Sequence, residues 1–343
     1  MKRHGNTLYI TTQGTYLARE RESLLIRVEK ETRLRMPVQT LDGVVCFGNV
    51  SWSPFAVGLC AESGVTVSLL TERGRFLGRV VGPVSGNVLL RRQQYRASDS
   101  EQASAEVARA VISGKVANTR TVLLRAQRDH AGPGENQQIT RAVARLANLL
   151  RTLQNPLPLD ELRGVEGEAA QAYFGVFPEL LRPPGSGFTF TGRTRRPPLD
   201  NVNALLSFLY VLLAHDARSA CEAVGLDPQI GFLHRDRPGR ASLALDLMEE
   251  LRPVLGDRVA LSLINRGQVQ ADGFRTTESG AVEMDDKTRK TVLVAYQKRK
   301  QDELQHPFLQ EKVTVGILLH VQARLLARFL RGDLDAYPPF FWR

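Results

Sequence analysis

The chain has 343 residues, of which 43% are hydrophobic and 24% charged. This composition is that of an average folded protein, and it excludes a mainly disordered, fibrous or coiled-coil chain. Lysine and arginine number 46 against 36 acidic residues, so the formal net charge at pH 7 is +10. Because arginine dominates and its planar guanidinium binds phosphate through two parallel hydrogen bonds, this charge predicts a polyanionic partner; an ordinary basic surface is the alternative.

The sequence does not indicate a membrane or secreted protein. The apolar run from Ala204 to Ala214 is too short to cross a bilayer and predicts a buried core helix. The first residues lack the apolar stretch of a secretory signal, so we expect a cytoplasmic protein. The cysteines Cys46, Cys60 and Cys221 are odd in number and widely spaced, which predicts buried free thiols.

The first ninety or so residues have the pattern of short β-strands. TERGRFLG predicts a hairpin turn with Gly74 at the positive-φ position. A short helix is expected after Ser51 or Ser53, with Pro54 at its first turn. Alternating or β-branched runs predict strands over Thr7–Thr12, Ser23–Val28, Gly43–Phe47 and Val65–Leu70.

The pattern becomes helical from about Ser104, as in AEVARAVISGKVANTR and ITRAVARLANLLRTLQ. The polar segment RRQQYRASDS shows neither period and predicts a domain boundary. We therefore predict an α+β protein with a sandwich-like β domain over 1–95 and a larger, mostly helical catalytic domain over 96–343. Inside the second domain, GSGFTFTGRTRRPP at 185–198 predicts a mobile basic loop.

Three acidic residues share one face of a predicted helix that begins near Ser242. Asp246, Glu249 and Glu250 lie opposite the apolar face of this helix, and His234 lies on the loop before it. Like charges at this spacing repel unless a cation neutralises them. A solvated acidic face and a structural histidine are the alternatives.

A further acidic residue, Glu166, is flanked by two glycines in LRGVEGEAAQAYF. Glycine within a helix costs about 1 kcal/mol relative to alanine, so Gly167 indicates that something packs closely there. Another helix fits this pattern, and so does a nucleic-acid backbone approaching a metal held by Glu166.

Carboxylates with one imidazole form a ligand set suited to Mg²⁺ or Mn²⁺. In a basic protein this set predicts phosphodiester chemistry, in which a metal positions an attacking oxygen and neutralises developing charge. The sequence contains no GxxxxGK[ST], GxSxG, HExxH or paired CxxC motif, so ATP hydrolysis, acyl transfer and zinc chemistry lack their signatures.

Seven segments occur along the chain in this order: NTLYITTQGTYLARE, RMPVQTLDGVVCFGNVSWSP, LLRRQQY, GKVANTR, LRGVEGEAAQAYF, RRPPLDNVNALLSFLYVLL and GFLHRDRPGRASLALDLMEELRP. Together they resemble the CRISPR-associated spacer integrase of the adaptation module, the family called Cas one. The resemblance spans nearly the whole chain, and the opening segment is most similar to the version found beside type I-C systems.

The resemblance implies a metal site. Glu166 in GVEG matches the first ligand of the family, and His234 in GFLH matches the second. Glu249 in DLMEELRP matches the third, and its choice over Glu250 depends on the register of that segment. Asp246 matches a nearby acid that is functionally important and less securely a ligand.

The resemblance also implies an activity and an assembly. Family members form homodimers, and two dimers flank a dimer of a small ferredoxin-like partner to hold double-stranded protospacer DNA. A 3′-hydroxyl of that DNA attacks a phosphodiester of the CRISPR repeat in the presence of Mg²⁺ or Mn²⁺. This exchange conserves the number of phosphodiester bonds and needs no ATP, in line with the missing nucleotide motif.

Arginines are the expected contacts to the DNA backbone, with affinity that falls steeply as salt rises. The alternative for any single one is a solubilising surface charge. The candidates are Arg73, Arg75, Arg91, Arg193, Arg195, Arg196, Arg235, Arg237 and Arg240.

Two other functions stay open at this point. A catalytically silent scaffold that binds nucleic acid would show no metal dependence, and it would tolerate substitution of all three ligands. A structure-specific DNA repair nuclease would cut branched DNA without integrating it into a repeat. Carboxylates beside phosphates repel the ligand unless a metal neutralises them, which favours the enzyme over the scaffold.

Overall fold

The chain divides into two compact units. A computed structural model describes residues 6–72, 76–80, 82, 88–129, 137–182 and 187–342. One unit consists of Met1–Gly86, Gln297–Asp302 and Thr314–Ile317, and the other of Asn87–Tyr296, Glu303–Val313 and Leu318–Arg343. The strand-rich N-terminal part and the helical remainder confirm the predicted α+β class.

The first unit contains two four-stranded sheets, with strand orders β1-β5-β7-β8 and β4-β3-β2-β6. Strands β1, β5 and β7 are parallel, and β8 pairs antiparallel with β7. That pairing agrees with the predicted hairpin, of whose turn Arg73, Gly74 and Arg75 lie outside the described residues. The strands are β1 (Thr7–Ile10), β2 (Thr15–Glu20), β3 (Ser23–Val28), β4 (Glu31–Pro37), β5 (Gly43–Phe47), β6 (Val50–Trp52), β7 (Thr66–Leu70) and β8 (Phe76–Val80).

Both sheets contribute to one buried apolar cluster, as expected for a sandwich-like unit. Leu17 and Leu24 come from one sheet, and Val44 and Cys46 from the other. Helix α1 (Pro54–Glu62) covers the cluster with Leu59 and Cys60. Its predicted N-cap is confirmed, because Oγ of Ser53 accepts a hydrogen bond from N of Ala56 at 3.1 Å.

All three cysteines of the chain are buried free thiols, as predicted, and burial raises the pKa of Cys60 to about 11.

The second unit is built mainly from helices. The remaining helices are α2 (Val88–Asp99), α3 (Glu101–Asp129), α4 (Gln137–Thr152), α5 (Leu159–Gly175), α6 (Asn201–Ala223), α7 (Ser242–Leu251), α8 (Arg258–Asn265), α9 (Asp286–Gln301) and α10 (Leu318–Leu330). Two small hairpins are β9 (Phe274–Thr276) with β10 (Val282–Met284), and β11 (Glu303–Gln305) with β12 (Lys312–Thr314).

Helix α6 is the apolar core helix that the sequence predicts. It is long and apolar enough to cross a membrane by length and composition alone, and 56% of its most apolar window is buried inside the protein. Asp200 caps its N-terminus by accepting a hydrogen bond from N of Asn203 at 2.7 Å. Gly225, with φ of +85°, follows its C-terminus.

The segment predicted as a boundary is instead helical. Position 95/96 falls inside α2, which includes all of RRQQYRASDS except its last residue, Ser100. The apolar period is hidden because the buried face of α2 carries Gln94, which is fully buried. Its Nε2 donates to the carbonyl oxygens of Asp227 and Ile230, each at 2.8 Å. A buried polar side chain that hydrogen-bonds to backbone far away in the sequence cannot be recognised from a hydrophobicity pattern.

Helix α7 runs into a π-helical segment, Arg252–Asp257, and then into α8. Pro253 lies at the start of this segment, where it removes an N–H donor from the regular α-helical ladder. π-helical turns inside helices frequently occur at functional sites. Here the segment follows directly after the acidic residues of α7.

Candidate metal and DNA site

Helices α3, α5 and α7 bring two carboxylates to one cation. Nζ of Lys115 on α3 lies 2.7 Å from Oε2 of Glu249 on α7. The same ammonium forms a hydrogen-bonded ion pair with Oε1 of Glu166 on α5. Two of the acids singled out from the sequence therefore lie close enough together to share a single positive charge.

Glu249 is ionised despite its burial. Burial raises the pKa of a carboxyl group, but the charges of Arg252 and Lys115 outweigh that effect and hold the pKa of Glu249 well below its usual range. Nη1 of Arg252 lies 2.7 and 2.9 Å from the two carboxylate oxygens. Glu249 is therefore a permanent negative charge in the interior of the protein.

Asp246 orients His234. Its Oδ1 lies 2.6 Å from Nδ1 of His234 and also accepts the His234 backbone N–H at 3.0 Å. Its Oδ2 accepts the backbone N–H groups of Phe232 at 2.7 Å and Leu233 at 3.0 Å. With Nδ1–H donating to Asp246, the other ring nitrogen, Nε2, keeps the lone pair that a metal ligand needs.

Gly231 makes this arrangement possible. A Cβ at this position would lie 2.8 Å from Oδ2 of Asp246 and 2.8 Å from the carbonyl carbon of Ser242. The loop that carries His234 therefore approaches the first turn of α7 as closely as it does only because position 231 has no side chain.

The third acid of α7, Glu250, belongs to a different network. Its Oε1 accepts from the Tyr337 hydroxyl at 2.5 Å, and its Oε2 accepts from N of Phe340 at 2.6 Å and Nε2 of Gln322 at 2.9 Å. Burial raises the pKa of Glu250 to about 7. Glu250 thus holds the aromatic C-terminal segment and does not face Glu166.

The expectation that the three acids crowd one patch is wrong, and so is the alternative of a solvated face. Asp246, Glu249 and Glu250 are each at most 5% exposed. Their carboxylates bind three separate sets of partners, because α7 is enclosed on several sides rather than having one wet face. Burial of each charge is tolerated because each carboxylate is paired or hydrogen-bonded.

The GKVANTR segment of α3 connects these networks. Gly114 allows close approach, since a Cβ there would lie 3.1 Å from Cγ of Glu250 and 3.2 Å from Cβ of Pro339. Lys115 bridges Glu166 and Glu249. Nδ2 of Asn118 donates to the carbonyl oxygen of Glu250 at 2.7 Å.

The surroundings of Glu166 are open. An added Cβ at Gly164 or Gly167 would meet no heavy atom of the described residues within 4 Å. Within the part of the chain that the structure describes, no other helix therefore packs against Gly167, and close helix packing does not explain the glycine. Next to this open surface, Nε of Arg163 donates to the carbonyl oxygen of Leu233 at 3.0 Å, which ties α5 to the loop that carries His234.

Three of the predicted arginines lie near one another beside the His234 loop. Burial, followed by the nearby positive charges of Arg237 and Arg196, lowers the pKa of Arg240. We call Arg196, Arg237 and Arg240 the basic cluster. Arg196 and Arg237 are exposed and Arg240 is half-buried. Like charges gathered at a surface bind an anion more strongly than scattered ones.

The other predicted arginines have different surroundings. Arg193 is held against α6, because it donates to Oδ1 of Asn203 at 2.7 Å and lies over the ring of Tyr210. Nε of Arg91 donates to the carbonyl oxygen of Gly225 at 3.3 Å. Arg195 is exposed, and Arg235 pairs with Asp160 at 3.0 Å while remaining 68% exposed.

The donor set fits a divalent cation of the Mg²⁺ or Mn²⁺ type. Two carboxylates converge on one cationic atom, and an imidazole oriented by a buried carboxylate of α7 lies on the loop before the helix that carries Glu249. In the described ranges, no three His, Cys, Asp or Glu side chains are already gathered at metal-binding distances. The ammonium of Lys115 lies between the two glutamates instead.

Sequence reasoning did not find Lys115 or Arg252 as parts of the site. Lys115 is the one charged residue of VISGKVAN, and Arg252 follows two glutamates in MEELRPVL; a long charged side chain among buried residues needs an acidic partner. That pattern was the available signal.

Comparison with known proteins identifies the family. The sequence profile of CRISPR associated protein Cas1 matches residues 8–298. The chain is 54% identical over its full length to a protein of Chlorobaculum tepidum named CRISPR-associated endonuclease Cas1 1, which it covers completely. It is 45% identical to a protein of the same name from Moorella thermoacetica, with 98% of each chain covered.

Solved structures share the fold. A casposase bound to its integration product superposes with a TM-score of 0.83 at 23% identity, over 100% of this chain and 95% of the casposase. A CAS1 protein from Thermotoga maritima superposes with a TM-score of 0.78 at 22% identity, over 95% of this chain and 97% of that chain.

The sequence profile and the relatives therefore define a CRISPR-associated protein. The chain belongs to the Cas1 family.

Proposed function

We propose that this chain is a divalent-metal-dependent DNA endonuclease and integrase of CRISPR adaptation. The observation that carries the proposal is the convergence of Glu166 and Glu249 on one cationic atom, beside a histidine whose ring is fixed by Asp246. Relatives that share 54% and 45% identity with the chain are named endonucleases, which supports the nuclease activity.

Glu166, His234 and Glu249 are the proposed ligands of one Mg²⁺ or Mn²⁺ ion. Such an ion polarises a phosphodiester and neutralises the charge that builds up on its oxygens. Asp246 acts on the ion only through His234, because its oxygens are taken up by backbone N–H groups and Nδ1. Arg252 keeps Glu249 ionised and in place.

The DNA backbone is proposed to approach over Gly164 and Gly167 and to contact the basic cluster. The absence of side chains at the two glycines leaves space beside Glu166. The cluster supplies positive charge on the neighbouring surface. These contacts are with phosphates and would fix the register of the DNA without reading its sequence.

The proposed reaction is a transesterification in which a 3′-hydroxyl of protospacer DNA attacks a phosphodiester of the CRISPR repeat. One P–O bond forms to the incoming 3′ oxygen, and the bond to the repeat's own 3′ oxygen breaks and releases a hydroxyl. Water in place of the 3′-hydroxyl gives cleavage. The fold shared with a casposase bound to its integration product agrees with this reaction class.

The proposed assembly is a homodimer that joins a small ferredoxin-like partner, two dimers flanking one partner dimer. A Cas6-RT-Cas1–Cas2 complex contains a chain of the same fold, with a TM-score of 0.81 at 23% identity, although this chain spans only 36% of that chain. We place the protein in the cytoplasm, where CRISPR DNA is found. The type I-C subtype remains a prediction from the opening segment.

The second candidate function is a silent nucleic-acid scaffold. It leaves unexplained why ionised Glu249 is kept inside the protein with two cations at hydrogen-bond distance. A buried ion cluster of this kind is costly to assemble, and perturbed acids near an open surface are typical of catalytic sites. The repair-nuclease alternative uses the same site and differs only in substrate.

A strand-transfer assay separates these functions. Labelled protospacer DNA and a plasmid that carries the repeat are incubated with the protein, its partner and Mn²⁺, and a branched duplex is tested for cleavage in parallel. His234→Ala and Glu166→Gln should abolish both reactions while duplex binding remains, and Glu278→Gln, an exposed acid elsewhere, should behave like the unchanged protein. Activity in EDTA, or undiminished activity in both site variants, would refute the proposal; cleavage without integration would favour the repair nuclease.

A further inference from the structure

Lys115 is an unusual neighbour for two proposed metal ligands. Its side chain is 9% exposed and emerges from α3 between Val111 and Val122, two buried residues of the same helix. It forms ion pairs with Glu166 and with Glu249 at 2.7 Å. The ammonium therefore takes the place at which a cation shared by the two carboxylates would be held.

The two carboxylates need this charge when no metal is bound. Glu249 retains Arg252 as a second cationic partner, whereas Lys115 on α3 bridges Glu249 to Glu166. Without a positive charge between them the two carboxylates repel each other, and the repulsion is strong because Glu249 is buried even though Glu166 is partly exposed.

A divalent ion held between the two carboxylates would compete with the ammonium. The ammonium is paired with Oε1 of Glu166 and Oε2 of Glu249, and two cations that share these carboxylates repel each other. Metal binding must then move Nζ of Lys115 to another polar partner.

Such a partner lies next to Lys115. A cavity of about 20 Å³ is lined by Lys115, Tyr173, Tyr210, Asp257 and Arg252, among others, so it holds one carboxylate beside the guanidinium of Arg252. Its volume is enough for one water molecule or for an ammonium group. The carboxylate of Asp257 and the Tyr210 hydroxyl, which are hydrogen-bonded to each other, supply polar atoms there.

We propose that Lys115 is an internal counter-ion that holds Glu166 and Glu249 together in the metal-free protein and is displaced when the divalent ion binds. Lys115 is thus a positioning residue that sets metal affinity. This inference rests on the proposed function, because it assumes that Glu166 and Glu249 are metal ligands.

Removing the ammonium should have two opposite effects. Metal binding no longer has to displace a cation, so Lys115→Met and Lys115→Gln should bind Mn²⁺ at least tenfold more tightly than the unchanged protein. The metal-free variants should be less stable, since the two carboxylates lose their shared partner. The rise in melting temperature on adding Mn²⁺ should therefore be larger than in the unchanged protein.

In the experiment, the Mn²⁺ affinity of each protein is measured by isothermal titration calorimetry. The melting temperature of each protein is measured separately, in EDTA and in Mn²⁺. Lys115→Arg keeps the charge and should not bind Mn²⁺ more tightly than the unchanged protein. Lys300→Met is the matched control, because Lys300 is 4% exposed and donates to Oγ1 of Thr7 at 3.3 Å. It should lose stability without any change in Mn²⁺ affinity.

The outcomes separate this inference from the proposed function. If Glu166→Gln and His234→Ala bind Mn²⁺ as well as the unchanged protein, the proposed metal site is wrong. If those two variants lose affinity while Lys115→Met and Lys115→Gln bind Mn²⁺ equally or more weakly, the metal site stands and the counter-ion inference is wrong.

A measurement on the unchanged protein covers the case in which the neutral variants do not fold. In crystals grown with Mn²⁺, Nζ of Lys115 is expected to lie beyond hydrogen-bond distance of at least one of Glu166 and Glu249. An ammonium that still bridges both carboxylates with Mn²⁺ bound beside them would overturn the inference.

Discussion

Asp246 and His234 form a buried carboxylate–imidazole pair in which Oδ1 and Nδ1 are 2.6 Å apart. Asp246 is 1% exposed, and its two oxygens also accept three backbone N–H groups of the loop that carries the histidine. One carboxylate therefore fixes both the ring and the backbone of His234. A side chain held in this way is oriented before any ligand arrives.

Replacing Asp246 by asparagine should weaken the metal site. Asparagine keeps one acceptor oxygen and introduces an NH₂ group, so it cannot satisfy all four donors. We expect a loss of about 10- to 100-fold in Mn²⁺ affinity and in strand transfer, the range typical for partners that orient a ligating histidine. The measurement is a Mn²⁺ titration with Asp333→Asn as control, since Asp333 is an exposed acid paired with Arg331. Equal affinities for the two variants would contradict this role.

The aromatic C-terminal segment should stabilise the protein through Glu250. Tyr337→Phe removes the hydroxyl that donates to Oε1 of Glu250 at 2.5 Å, inside a buried network. We expect a loss of about 1–3 kcal/mol in the free energy of unfolding. Tyr95→Phe removes an exposed hydroxyl that donates to Asp227 at 2.7 Å, and it should cost less than about 0.5 kcal/mol. Urea denaturation measures both losses. Similar losses in the two variants would show that the buried Glu250 network stabilises the protein no more than an exposed hydrogen bond does.

The basic cluster should contribute to DNA affinity through phosphates. Arg237→Ala and Arg240→Ala are each expected to weaken binding of different duplex sequences to the same extent. Each should also reduce the slope of log affinity against log salt by about one. Arg331→Ala, which removes an arginine paired with Asp333, should leave the slope unchanged. Fluorescence anisotropy at several salt concentrations tests this, and an unchanged slope in the cluster variants would exclude them from the phosphate contacts.

His306 should make the protein less stable at acidic pH. It is buried, its Nδ1 accepts from N of Leu309 at 3.2 Å, and its Nε2 lies 3.1 Å from Oε1 of Gln322. Burial lowers the pKa of His306, so the unfolded chain binds a proton below about pH 6.5 that the folded protein resists. The contribution of neutral His306 to the free energy of unfolding is therefore complete above that pH, and it is lost as the pH falls.

The pH effect can be isolated with His306→Gln, which keeps polar groups at the position but does not titrate. Between pH 7 and pH 5, the free energy of unfolding of the unchanged protein should fall more steeply than that of the variant. One proton allows a difference of at most about 1.4 kcal/mol per pH unit. The free energy of unfolding is measured by urea denaturation at each pH. An equal decrease between pH 7 and pH 5 in both proteins would contradict the role of His306.

Much of the fold follows from local pattern. Strands β3 and β5 occur over the residues predicted for them, α1 begins directly after the cap at Ser53, and α7 begins at Ser242 as predicted. These elements have regular apolar periods or local capping signals, which depend on neighbouring residues in the chain.

Other features depend on contacts between distant parts of the chain and could not be predicted in this way. Helix α2 buries Gln94 against a loop more than one hundred and thirty positions later in the chain. Glu249 and Glu250 are neighbours with the same side chain, yet one faces Lys115 and the other faces the C-terminal segment. Only the packing of α3, α7 and that segment distinguishes them.

The central claim is that Glu166, His234 and Glu249 share one divalent ion. Its most direct test is a crystal grown with Mn²⁺, with data collected at a wavelength where manganese scatters anomalously. We predict a single anomalous peak within coordination distance of a carboxylate oxygen of Glu166, Nε2 of His234 and a carboxylate oxygen of Glu249. A peak elsewhere, or no peak among these three side chains at saturating Mn²⁺, would contradict the account.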